Sequence, residues 1–238
     1  MHKTILSLVI ISFGLICNSI FANIEITLKN DFIEKYKDRV TIDATFTVDK
    51  ALARPHPAKD DAELHIAGRA PEVQLPIVSE IMNAAAQEHA MQTIHDAEGT
   101  DQSIPMAGVW RLWCEHGGES KQVQGKPVPQ LDTTNPEHVF EIHPIVSLQD
   151  TPLLDSIHLI EGYEPKEADT AFHVYENLQS HISLKSNQTV LTTTMAGYNF
   201  VEFILKPLEA RHQLADGSAF LADVYDLHGE LLVHKRRM

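Results

Sequence analysis

Hydrophobic and polar residues alternate over RVTIDATFTVDK (39–50), with Val40, Ile42, Ala44, Phe46 and Val48 on one face. That period of two predicts a half-buried strand. ELHIAGRA (63–70) has the same period, with Leu64 and Ile66 on one side and Glu63 and His65 on the other. HVFEIHPIVSL (138–148) repeats it, turning Phe140 and Ile142 to a core and Glu141 and His143 away. Pro144 cannot donate a ladder hydrogen bond, so it suits an edge position or a bulge. QLPIVSEIMN (74–83) is apolar and β-branched at its centre, which fits a buried strand or the first turn of a helix. From Asn83 the composition turns helical through AAAQEHAMQTIHDAE, with Gly99 as its stop and Glu88, Gln92 and His95 on a solvated face. MAGVWRLWCEHGG (106–118) then reads as a strand again.

The order strand, strand, strand, helix, strand, strand predicts a mainly β (α+β) chain whose first module, residues 23–148, is an OB-like five-stranded barrel with one helix. NIEITLK (23–29) fits an edge strand of the lead-in. Gln149 to Pro152 holds turn residues without periodicity, and a second β-rich module is expected over 153–238. Its segments are mostly short strands, with a helix possible in EPKEADTAFHVYENL (164–178) and a hairpin tip at Asp226–Gly229.

Composition adds an address. Residues 1–22 have a short basic start, an apolar run from Ile5 to Ile16 and small residues near Ser19 and Ala22, the grammar of a cleaved secretory signal. The run is too short for a membrane span, so none is expected in the mature chain. Export to a bacterial periplasm or the extracellular space follows as the expectation. Removing the leader also removes Cys17 and leaves Cys114 without a partner for an internal disulfide, so stability has to come from a core. The formal charge of −14 argues against nucleic acid as a partner, which needs clustered Lys and Arg.

Candidate chemistry rests on two Glu-x-His pairs. Residues i and i+2 of a strand share a face, so Glu63 with His65, and Glu141 with His143, are same-side pairs. If their strands meet, these four groups, joined by His116 of the EHGG turn, form an imidazole–carboxylate set suited to a divalent metal such as zinc. A bland alternative stands beside it, because Glu beside His is a common ion pair on a solvated sheet face. Histidine is abundant, and no HExxH or CxxC motif is present. Asp60, Asp61 and Glu63 lack the EF-hand loop pattern and read as solvated loop charge. Trp110 and Trp113, three apart, would face opposite sides of a strand, one toward the core and the other available as a platform for a sugar or peptide.

DDAELHI, WRLWCEHGG and FEIHPIVSL together resemble a pattern in secreted bacterial proteins of uncharacterised function, in which an acidic, His-containing strand precedes a Trp-containing strand, an EHG-like turn and an EIHP strand. The resemblance covers roughly residues 39–148. The usual glycine between the two acids of the first motif is Ala62 here, and a long insertion separates EHGG from EIHP. It implies a module and no activity. Two functions are therefore expected: a binding or interaction protein for a saccharide, peptide or envelope partner, or a metal-dependent hydrolase using the Glu and His groups.

Overall fold

A computed structural model describes residues 24–73, 77–112, 121–123, 140–176, 181–193 and 199–238. The leader, Trp113, Cys114 and His116 lie outside the described residues. Strand β1 (Ile24–Lys29) runs into helix α1 (Asn30–Tyr36), which buries Phe32 and Tyr36. The alternating segments then form β2 (Thr41–Ala51), β3 (Leu64–Arg69), β4 (Ile77–Ile81), β5 (Ser103–Leu112), β6 (Lys121–Val123) and β7 (Phe140–Leu148). Helix α2 (Glu88–Ala97) stands between β4 and β5.

Five of these strands close on themselves. β2 pairs antiparallel with β3 and β5, β3 with β4, and β5 with β7; β4 and β7 pair in parallel and complete a mixed barrel. With the helix after the third strand, this is the OB-like barrel expected from the order of elements. The ambiguous segment 74–83 supplies strand β4 rather than a helical turn.

The inward face is apolar throughout. Ile42, Phe46 and Val48 of β2, Leu64 and Ile66 of β3, Ile77 and Ile81 of β4, Ile104 of β5, and Phe140, Ile142 and Ile145 of β7 are wholly buried in one core. α2 adds Ala90, Ile94 and Ala97 to it, while Glu88 and Gln92 face solvent. Gly99 stops that helix at φ +67°, where glycine meets no Cβ penalty, and donates to Val48 O at 3.1 Å.

β7 carries a bulge. Gly108 lies opposite Ile145 and Trp110 opposite Ile142, so His143 and Pro144 share the space facing Val109. Pro144 thus falls in the bulge of the β5–β7 ladder, one of the two positions that suit a residue without an N–H to donate.

The second half builds further sheets. Strands His181–Leu184 and Gln188–Thr193 join β1 and β6 in the order 181–184, 188–193, β1, β6. β1, in the segment expected at an edge, thus has a pairing strand on either side. Helix α3 (Ala168–Glu176) falls inside the segment where a helix was possible. Strands Ile204–Pro207, Leu221–Tyr225 and Leu231–Arg237 form an antiparallel sheet. The hairpin tip lies where expected: Asp226 Oδ1 accepts from His228 N and Glu230 N, and Gly229 sits at φ +88°. Among the described residues no helix is long and apolar enough to cross a membrane.

Candidate metal centre

The site lies on the outer face of β3, β4 and β7. Since Leu64 and Ile66 point into the barrel, Glu63 and His65 point out of it. His65 is directly across from Glu80 in the β3–β4 ladder. Val78 is across from Glu141 in the parallel β4–β7 ladder, so Glu80 and His143, each two residues further on, share that face. Arg111 of β5 is the cross-strand neighbour of Glu141. The two Glu-x-His pairs therefore do converge, and Glu80 stands between them.

An outward face of this composition would ordinarily be wet, but Glu63, His65, Glu80, Glu141 and His143 are each no more than 4% exposed. The loop after β2 runs along β3, with Leu52 N donating to His65 O at 3.0 Å and His56 N to Glu63 O at 2.9 Å. A small apolar cluster of Ala62, Met82 and Ile160, packed by Ala58, Tyr163 and Phe200, adjoins the charged groups. Met82 Sδ is 3.0 Å from His143 Nε2. Residues of the second half thus help to close a site built on the first.

Within the enclosure the donor atoms are crowded. His143 Nδ1 is 2.5 Å from Glu80 Oε2 and 3.7 Å from Glu141 Oε2, while its Nε2 is 3.1 Å from Glu63 Oε1. His65 Nε2 is 3.2 Å from Glu63 Oε2 and 3.6 Å from Glu80 Oε1. Arg111 Nε is 3.3 Å from Glu141 Oε2. Despite these approaches, Glu63 Oε1 and His143 Nδ1 make no directed hydrogen bond. Buried polar atoms are ordinarily satisfied; these two are crowded by charged neighbours without a directed hydrogen bond.

Electrostatics point the same way. Burial, then the Glu80 charge, pushes the Glu63 carboxyl up to about 7, against a lowering contact from His65. The carboxyls of Glu63, Glu80 and Glu141 share this buried pocket with the imidazoles of His65 and His143 and with the Arg111 guanidinium at its edge. A buried cluster of carboxylates and imidazoles of this kind could hold a metal ion. Glu63, Glu80 and His143 each offer one donor atom, all within 4.8 Å of one another, as do His56, Asp61, Glu63 and His65.

Of the residues expected from sequence, Glu63, His65, Glu141 and His143 come together. Trp110 is committed to packing: its ring stacks on Phe140 at 6.1 Å, meets Phe32 and Tyr36, and its Nε1 donates to Arg39 O at 3.3 Å. Trp113 and His116 lie outside the described residues. Sequence reasoning missed Glu80 and His56, and left Asp61 as solvated charge. Glu80 had a signal, being the one charged residue in the apolar run PIVSEIM. Comparison with models of protein families, with curated proteins and with solved structures finds no match.

Proposed function

We propose that this protein is an exported metal-binding protein that holds a divalent first-row transition ion, zinc in the first instance, between Glu63, Glu80 and His143. The observation that carries this reading is the convergence of those three donors, each at most 4% exposed, on two atoms left without hydrogen bonds. Mixed imidazole and carboxylate donors suit zinc and its first-row neighbours better than calcium or magnesium, which take oxygen alone. His65 and Glu141 flank the set. Arg111 beside Glu141 anchors it and fixes the ligand geometry from outside.

Enclosure favours holding over hydrolysis. A hydrolytic metal needs an open coordination position that a substrate can reach, and these donors are closed off by the 52–62 loop and the Ile160 cluster. Trp110 is occupied in packing, and the enclosed Glu and His donors favour a metal ion as the ligand of this site. Export is supported by the leader-like residues 1–22 and is proposed on that basis.

Elemental analysis and calorimetric titration of the purified full-length chain test the proposal. Zinc at about 1,000 times its Kd should stabilise the fold by about 4 kcal/mol, seen as a higher Tm. Glu80→Gln, which keeps side-chain shape, and His143→Ala should each lose at least tenfold in affinity, the lower end for a lost ligand or its support. His212→Ala, an exposed histidine far in sequence, should change nothing. Absence of uptake of zinc, manganese, iron or cobalt, or unaltered binding by Glu80→Gln, would overturn it.

A further inference from the structure

We infer that Glu63 is a bridging ligand and that a second metal position, formed by His56, Asp61, Glu63 and His65, adjoins the first. This rests on the metal-binding reading above. The two carboxylate oxygens of Glu63 face different partners: Oε1 is 3.1 Å from His143 Nε2 and Oε2 is 3.2 Å from His65 Nε2. The two donor groups have Glu63 as their shared member. Glu63 is 2% exposed, and its Oε1 makes no hydrogen bond. One carboxylate oriented in this way spans two cations, the arrangement that lets paired metals sit about 3.5–4 Å apart.

The outer group is built for the purpose by a tight turn. Pro57 O accepts from Asp60 N, Asp61 N and Ala62 N at 2.9, 3.2 and 3.3 Å, which turns the loop back on itself. Asp61 Oδ1 accepts from Glu63 N at 3.3 Å and lies 2.8 Å from His56 Nδ1. The His56 and His65 rings are 4.5 Å apart between centroids. Two imidazoles and two carboxylates make a four-donor set of the kind that zinc takes tetrahedrally.

The positions differ in access. The side chains of His56 and Asp61 are 35% and 19% exposed, against at most 4% for Glu80 and His143. The inner ion is then the tight one, and the outer ion exchanges with solvent and is the weaker. Cation enters through His56 and Asp61, the face where the donor set reaches water.

Zinc titration of the full-length chain, with bound zinc counted after gel filtration, reads the stoichiometry. Manganese loading followed by electron paramagnetic resonance reads the bridge. Two zinc equivalents and an exchange-coupled manganese pair are expected. His56→Ala and Asp61→Asn should each reduce the count to one and replace the coupled signal with that of an isolated ion. Glu63→Gln should weaken both positions at least tenfold. One equivalent in the wild type, or two equivalents unchanged in both His56→Ala and Asp61→Asn, would overturn the bridge while leaving the inner site standing. No bound metal at all would overturn the inner site, and the bridge with it.

Discussion

At the scale of single residues, Glu63 governs the behaviour of the site. Its carboxyl is held near 7 by burial and by Glu80. In the metal-free protein the folded state keeps a proton that the unfolded chain releases above its ordinary 4.5. The associated stability is complete below pH 4.5, is lost as pH rises through about 7, and then stays lost. Holding the carboxyl at about 7 corresponds to a difference on the order of 3 kcal/mol across that window. Metal-free wild type should therefore lose Tm between pH 5 and 8 relative to Glu63→Gln, as thermal unfolding across pH will show. Parallel curves for the two proteins would contradict the assignment. Metal binding has the opposite sign, strengthening as Glu63 loses its proton.

Elements place these residues, and the strands were the part most legible in the sequence. A period of two put Glu63 with His65 and Glu141 with His143 on outward faces, because each pair needs only one strand's pleat. Glu80 was hidden for the opposite reason: its neighbours His65 and His143 reach it across two ladders, one of them parallel, and no local pattern encodes that pairing. The burial of the outward face was equally hidden, since it depends on a loop and on Ile160, Tyr163 and Phe200 from distant chain. Ala62 sits at φ +55°, a conformation that glycine adopts without strain. The bulge of β7 makes a separate demand on β5. A Cβ on Gly108 would stand 2.4 Å from Ile142 Cγ2 and 2.6 Å from Pro144 O. Gly108→Ala should cost about 1–3 kcal/mol through forced displacement of β7, measured as a lower denaturation midpoint. An unchanged midpoint would show that β7 yields freely there.

At the scale of the whole molecule, the barrel and the later strands are tied together in ways that serve the site. β1 enters a sheet with residues 181–193. Asp216 accepts from Val40 N, Thr41 N and Thr41 Oγ1, each at 2.7 Å, clasping the start of β2 from 175 residues away. Burial alone would raise that carboxyl; these hydrogen bonds and Arg39 outweigh it and hold it at about 2. Gln87 links the same regions, donating to Met82 O at 2.8 Å and Ser156 Oγ at 3.0 Å beside the apolar cover. On the proposed reading, the buried acidic pocket between barrel and cover is completed by a metal ion. A crystal structure of the zinc-soaked full-length protein, with anomalous scattering recorded on both sides of the zinc edge, tests it most directly. A zinc peak is expected within about 2.0–2.2 Å of donor atoms from Glu63, Glu80 and His143. Zinc found only at surface histidines, with the pocket carboxylates bonded to one another or to water, would contradict it.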